Sequence, residues 1–491
     1  MSNEEYFEHR EDENIVENKE LNIWEALIPV FLLMLMLAYN IFFADGAALG
    51  DYSNQIILLI GGVIAAIVGF FNKVTLQTML QEIWENLKSV FLPIMILFLV
   101  GALAGTWLVS GIIPAMVYYG LQVLNPTIFL PASVIIAALI AIATGSSWTT
   151  SATVGIALVG IGTALGIPAG MIAGAVISGA YFGDKMSPMS DTTNLAPAMA
   201  GTDLFTHIRY MSLTTVPSIV ITLVVFGILS LNIDTTGTTN VDDLLRTIET
   251  TFNITPYLFI VPVLVVVLIL FKTKPLIALG AGVSLAAVFA MIFQSEILLQ
   301  LSDSETMTLI KAILTDTQIV TENESLNELF SSGGIEGMLW TILLIICAMV
   351  FGGIMDGIGA LAKVTKALLS VASSIFGLFA STVVSCLGLN VIASDQYLAL
   401  VIPGKMFKKA YDDKGLAPEN LSRTLEDAGT VTSVLIPWNT CGAYQSGVLG
   451  VGVGEYFIYA IFNWLSPFMT LLFAAFRIKI KMLATTAVKV E

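Results

Sequence analysis

Two short polar runs interrupt otherwise apolar sequence: Ser187-Pro-Met-Ser-Asp-Thr-Thr-Asn194 and Pro437-Trp-Asn-Thr440. The first offers hydroxyls, a carboxylate and a carboxamide from Ser190, Asp191, Thr192 and Asn194, and Pro188 disfavours helix through it. The second offers Asn439 and Thr440, with the Thr432 and Ser433 hydroxyls just upstream. Backbone carbonyls freed by such breaks add to the hard oxygen donors that let an alkali cation shed its hydration shell. The same groups also suit plain capping of half-helices. Each run is preceded by another polar patch: Gly145-Ser-Ser-Trp-Thr-Thr-Ser151, which carries Ser147 and Thr149, and Gly388-Leu-Asn-Val-Ile-Ala-Ser-Asp395.

Charge for such a site comes from acids in apolar surroundings: Asp184, Asp191, Asp356, Asp395, Glu426 and Asp427. A carboxylate at bilayer depth is costly and marks an ion path or a proton relay. Desolvated, it can take either a proton or a cation, and competition between the two yields obligatory exchange with no covalent step. Glu426 and Asp427 are neighbours on a helix that begins at Pro418, so their side chains point about 100° apart. Both serve one small site only if the helix unwinds at Gly429. Otherwise one binds the ion while the other pairs with Arg423, three or four positions away. Asp184 is followed by Lys185, so a local ion pair is its competing account. Asp356 has no basic residue within five positions and lies 356 − 110 = 246 residues after Ser110, in a matching glycine-flanked setting. A functional role is expected for it. His207 and Arg209 read as a cytoplasmic anchor in preference to a pH sensor.

The elements that must position these residues repeat. Asn194 and Asn439 are 439 − 194 = 245 residues apart, Gly145 and Gly388 are 388 − 145 = 243 apart, and the Ala-Leu-Val triplets at Ala157 and Ala399 are 242 apart. Polar, helix-breaking sequence in corresponding positions of two halves points to a transporter's binding centre. Apolar runs of bilayer-spanning length are expected near 23–44, 54–71, 89–110, 127–144, 211–232, 255–271, 275–293, 338–357, 373–387 and 455–476. Segments 145–165 and 388–404 suit re-entrant hairpins, with a polar kink in a full span as the alternative. Glycines 101, 105, 352 and 353 suit close helix packing. Basic residues at 73, 88, 272, 274, 477, 479 and 481 place those connections, and both termini, in the cytoplasm. The leading helices near 89 and 338 then enter from opposite sides.

The expected fold is therefore an all-α polytopic membrane protein of two inverted-topology repeats, each with a re-entrant hairpin and a broken helix. Its layout is an acidic cytoplasmic tail (1–22), N-terminal transmembrane helices (23–88), repeat 1 (89–232), and connecting helices with an acidic extracellular loop (233–337). Repeat 2 (338–480) and a cytoplasmic C-terminus (481–491) follow.

Composition supports a membrane protein and excludes an ordinary soluble one: mean hydropathy is +0.87, 56% of residues are hydrophobic and 12% are charged. The net charge of −16 sits largely in the tail and in 294–336, where eight acids face Lys311; both read as solvated peripheral segments. Cys347, Cys386 and Cys441 read as buried free thiols, and two histidines leave little scope for histidine metal chemistry. No signal peptide is expected, because an acidic tail precedes the first span. Neither a nucleotide loop nor a nucleophile–base pairing suggests an enzyme.

The stretches Gly183-Asp-Lys-Met-Ser-Pro-Met-Ser-Asp-Thr-Thr-Asn-Leu-Ala-Pro197 and Leu425-Glu-Asp-Ala-Gly-Thr-Val-Thr-Ser-Val-Leu-Ile-Pro-Trp-Asn-Thr-Cys-Gly442 closely resemble the signature of the NhaC-type sodium/proton antiporter family, within the ion-transporter superfamily. The similarity covers roughly residues 23 to 480. It implies inverted repeats, homodimers and elevator-like motion in the cell membrane. It also makes Asp191, Asn194, Glu426, Asp427 and Asn439 the leading ion-site residues, with Na+ at Asp191, Asn194, Asp427 and Asn439. The activity expected is Na+ out for H+ in, with no cofactor beyond those transported ions. The partners expected are the lipid bilayer and the transported solute, with no nucleic acid. Exchange of small organic acids (malate- or lactate-like) or amino acids is the alternative, and a channel is disfavoured.

Overall fold

The computed structural model describes residues 15–44, 47–123, 126–233, 241–271, 273–321 and 324–483. Residues 1–14 of the acidic tail and 484–491 of the C-terminus, for which cytoplasmic placement is expected, lie outside the described residues. Regular structure among the described residues is helical, apart from a two-residue antiparallel pairing of Thr317–Gln318 with Ser331–Ser332. Among the described residues, eight helices are long and apolar enough to cross a membrane: Ile23–Asn40, Ser53–Phe71, Phe91–Val109, Pro126–Thr144, Leu204–Leu231, Pro275–Phe293, Gly334–Gly357 and Ile375–Ile392. A ninth candidate is the pair Asp242–Thr251 and Pro256–Ile269, bent by 87°. The protein is a mostly α-helical, multi-pass membrane protein.

Capping residues fix several starts. Asn22 and Glu25 form a capping box at Ile23–Phe43, and Asp203 opens Leu204–Leu231 by accepting from Thr206 N at 2.9 Å. That second start lies seven residues before the apolar run at 211, because the capped polar turn continues into the span. Two expected spans are shorter than their apolar sequence. The 255–271 run resolves into a 3-10 turn, Pro256–Phe259, and an eleven-residue helix, Ile260–Leu270. The 455–476 run contains a separate turn, Val453–Tyr456, and a fifteen-residue helix that restarts at Ile461 after Ala460 leaves helical geometry.

The acidic 294–336 segment is not a solvated loop throughout. It forms the helices Ser295–Leu301, Glu305–Leu314 and Glu324–Leu329. Leu298, Leu309 and Ala312 are buried in a small apolar cluster with Val109 and Ala290, while Glu296, Asp303 and Asp316 stay exposed. The reason is amphipathicity: charge content alone conceals an apolar face that packs on Phe91–Val109.

Glycines make the closest approaches, as expected. A Cβ on Gly101 would collide with the Gly334 carbonyl, one on Gly105 with the Ala312 carbonyl, and one on Gly352 with the Ala393 carbonyl. At Gly353 it would stand 2.6 Å from Ile83 Cα. The three free thiols are buried.

Candidate functional site

Both halves carry two chain breaks, and within each half the breaks are joined. In the first, Pro126–Thr144 ends at Gly145 (φ +69), and Ser147–Thr150 runs through a π turn, Ser151–Gly155, into Ile156–Ala164. Ala169–Met186 then stops, and Asp191–Ala200 begins with Ser190 as its cap. Only Ser187–Ser190 is non-helical; Asp191, Thr192 and Asn194 form the first turn of the new helix. A Cβ at Gly145 would lie 2.7 Å from Met189, and Ser187 Oγ donates to the Ile142 carbonyl at 2.8 Å. In the second half, Ile375–Ile392 is separated from Leu398–Asp413 by residues 393–397. Pro418–Leu425 passes into a π turn, Glu426–Thr430, and the helix Thr440–Leu449 starts at Asn439. Here Thr440 N donates to Ser394 O at 2.9 Å and Trp438 Nε1 to Val391 O at 2.9 Å.

Two of the contacts between the halves lie at the breaks. Trp148 stacks on Tyr444 at 4.1 Å and 17°, and Tyr444 Oη donates to the Trp148 carbonyl at 3.2 Å. Lys185 Nζ forms a salt bridge with Asp427 Oδ1, both side chains wholly excluded from solvent. The other carboxylate oxygen of Asp427 accepts from Thr214 Oγ1 at 2.8 Å and from Thr470 Oγ1. Asp427 is thereby neutralised and fully hydrogen bonded.

Glu426 is its opposite. It is 0% exposed, yet neither carboxylate oxygen has a hydrogen-bond partner. The Thr192 and Thr430 hydroxyls and the charges of Lys185 and Asp184 lie near enough to act on it. An isolated buried ionised carboxylate is strongly unfavourable, so this group can take up a proton or a cation. The π turn starts at Glu426, and its extra residue is the local unwinding that two adjacent acids require.

The two local ion pairs weighed as alternatives do not form. Lys185 bonds across the molecule to Asp427, while Asp184 accepts from Ser147 N at 3.0 Å and Ser147 Oγ at 2.7 Å. Arg423 pairs with neither acid; its Cζ lies 4.6 Å from the Tyr210 ring centre. A helix terminus supplied Asp184 with better-aligned donors, which freed Lys185 for the deeper carboxylate.

Other expected residues have capping or bracing roles. Asn194 is exposed and donates Nδ2 to Pro188 O at 3.0 Å and Ser190 O at 2.7 Å. Ser190 Oγ contacts Thr192 Oγ1 at 3.3 Å, and Thr149 N donates to Ser146 Oγ at 3.2 Å. Asp395 Oδ1 accepts from Tyr397 N at 2.8 Å and Leu398 N at 3.0 Å. Asn439 accepts from Cys441 N at 3.0 Å, and its Nδ2 donates to Asn390 O at 3.0 Å; Thr440 Oγ1 reaches Asn439 Oδ1 at 3.4 Å. Asn390, not singled out from sequence, ties Asn439 to the π turn and the turn after it through Gly429 O at 2.7 Å and Thr432 Oγ1 at 3.0 Å. Asp356 is buried at the end of Gly334–Gly357, whose Gly353 and Gly357 pack on Leu76–Ser89. His207 is buried, its Nδ1 2.8 Å from Ser422 Oγ, so it is a packed residue inside the bundle and not a surface anchor. Thr214 and Thr470 carried no sequence signal. Lys185 did: 427 − 185 = 242, the offset of the Ala-Leu-Val triplets.

Among the described residues no group of three or more His, Cys, Asp and Glu side chains could hold a resident metal. The arrangement is one unpartnered carboxylate beside a neutral ion pair, suited to reversible binding of a cation or proton.

The sequence model of the Na+/H+ antiporter family matches residues 179–478. The chain is 38% identical to the Na+/H+ antiporter NhaC of Alkalihalophilus pseudofirmus over 84% of this chain and 87% of that protein. It is 36% identical to NhaC of Bacillus subtilis over 80% and 85% of the two chains. The malate-2H+/Na+-lactate antiporter of Bacillus subtilis is 34% identical over 90% of each. With the matched stretch enclosing both Lys185 and Asp427, the chain belongs to the Na+/H+ antiporter family.

Proposed function

We propose that the protein is a secondary active antiporter that exchanges Na+ (outward) for H+ (inward) across the cytoplasmic membrane by alternating access, without catalysis or a cofactor. One observation carries the reading: Asp427 is neutralised by Lys185, while the equally buried Glu426 beside it is unpartnered. Glu426 is then the group on which Na+ and H+ compete, with Thr192 and Thr430 oxygens completing the cation's shell. Asp184 and Asp191 add negative potential, and Asn194, Asn439, Asp395 and Asn390 hold the two breaks in shape. The similarity to two Na+/H+ antiporters supports this cargo. The matched breaks and the 242-residue offset of Lys185 and Asp427 support two inverted repeats, 89–232 and 338–480, with re-entrant segments at 145–165 and 388–404. Cytoplasmic termini follow from the basic connections, and a homodimer follows from the family resemblance.

The test is Glu426→Gln in proteoliposomes with an internal pH dye, a Na+ step outside and the membrane potential clamped. Loss of Na+-driven proton flux in a folded protein is expected; wild-type flux would remove Glu426 from the mechanism. The similarity to a malate-2H+/Na+-lactate antiporter favours a second reading, an exchanger of small organic acids. Wild-type protein silent with Na+ alone but responsive once malate or lactate is supplied would replace the first reading with the second.

A further inference from the structure

Of three buried charged side chains on one helical stripe, two have no hydrogen-bond partner and the third is bonded at one oxygen. Arg423 is 0% exposed, and Nε, Nη1 and Nη2 have no hydrogen-bond acceptor. Glu426, three residues later, has neither oxygen bonded. Glu419, four residues earlier, is 5% exposed; its Oε2 is unbonded and its Oε1 accepts from Lys481 Nζ. Residues spaced by three and four share a helix face, with Cβ atoms about 5–6 Å apart. Arg423 thus has a carboxylate within side-chain reach on each side and bonds to neither. Its guanidinium rests on aromatic faces, Cζ 4.6 Å from the Tyr210 ring centre and 5.7 Å from that of Phe473. A cation over an aromatic face is held without directional bonds, so the side chain can slide along that shelf.

We propose that Arg423 is the switchable counter-charge of the ion site. It pairs with Glu426 when that carboxylate is ionised and empty, and with Glu419 when Glu426 carries Na+ or H+. This rests on the reading of Glu426 as the cargo carboxylate. The C-terminal segment sets the balance. Ala417 N donates to Lys481 O at 2.9 Å, Leu483 N to Gly415 O at 2.8 Å, and Tyr210 Oη to Lys479 O at 2.7 Å. These bonds hold Lys481 against Glu419, where it competes with Arg423 for that carboxylate.

The test is the Na+ dependence of exchange by full-length protein in proteoliposomes, at an alkaline pH where protons compete least. Arg423→Gln removes the cation that rivals Na+, so KM for Na+ falls about a hundredfold, as expected for a unit charge about 6 Å away at an effective dielectric constant of about 20, and the maximal rate falls because nothing expels the ion. Glu419→Gln strips Arg423 of its alternative, so KM rises about tenfold. Arg423→Lys keeps the charge and stays within about threefold of wild type. Opposite KM shifts in the first two variants are the result a merely structural role would not give. Shifts of the same sign, or none, alongside an inactive Glu426→Gln overturn the counter-charge proposal alone; an active Glu426→Gln sinks the site reading beneath it. Should Arg423→Gln fail to fold, an unchanged KM in Glu419→Gln overturns the proposal. A wild-type KM that changes when chloride replaces gluconate, and that Arg423→Gln makes indifferent, would show an anion at Arg423 and overturn it too.

Discussion

Replacing Lys185 with methionine keeps the stem and removes the charge. Asp427 would then be a carboxylate with 0% of its side chain exposed, held only by Thr214 at 2.8 Å and Thr470. Breaking a buried pair by removing one partner typically costs about 3–5 kcal/mol, because the remaining charge is desolvated and uncompensated. The two hydroxyls are already bonded in the wild type, so they offset none of this loss. Removing both charges, as in Lys185→Met with Asp427→Leu, leaves no orphan, and such replacements are often neutral or stabilising by about 1–4 kcal/mol. The four proteins of this cycle would be melted in detergent by intrinsic fluorescence. The expected order is a melting point several degrees lower for Lys185→Met and a large recovery for the double variant. A Lys185→Met protein as stable as wild type, or a double variant no better than the single, would refute the claim that these residues neutralise each other.

Two predictions concern the scaffold. Gly105→Val forces a side chain into the Ala312 carbonyl and should displace the Glu305–Leu314 helix, costing about 1–3 kcal/mol or more. Gly227→Ala, in open space on Leu204–Leu231, should be neutral or stabilising by up to about 1 kcal/mol. Comparing their melting points checks the packing. Asn390→Ala removes the side-chain donor to the Gly429 carbonyl, at about 1–3 kcal/mol, while the Asn439 amide keeps its bond to the Asn390 backbone carbonyl. It should also weaken Na+ activation, since Gly429 lies in the π turn that begins at Glu426; unchanged Na+ dependence and stability would dismiss the brace.

Much of the frame was legible because it depends on local composition. Apolar runs of span length, paired glycines and proline-marked breaks each act through neighbouring residues, and they recur where expected at Gly145, Ser187, Ser394 and Asn439. Charge pairing was less legible, since it is decided by what folding brings near. Lys185 adjoins Asp184 in sequence and bonds Asp427, 242 residues away. Arg423 lies within a turn of three acids and pairs with none. The equal offset of Lys185 and Asp427 matches that of the Ala-Leu-Val triplets and was the sequence signal for their meeting. The 294–336 segment was misread for a simpler reason: counting acids hides an amphipathic face one helix wide.

The Lys185–Asp427 pair also has an electrical meaning. Its two charges cancel and stay together across the join of the halves, so moving that region through the membrane field carries no net charge on their account. The proposed cargo carboxylate, Glu426, is neutral whether it holds Na+ or H+, while Arg423, Asp184 and Asp191 keep charges of their own. On the proposed reading, one-for-one exchange at Glu426 would itself move no net charge. Any current accompanying exchange would count the ions bound elsewhere than at Glu426.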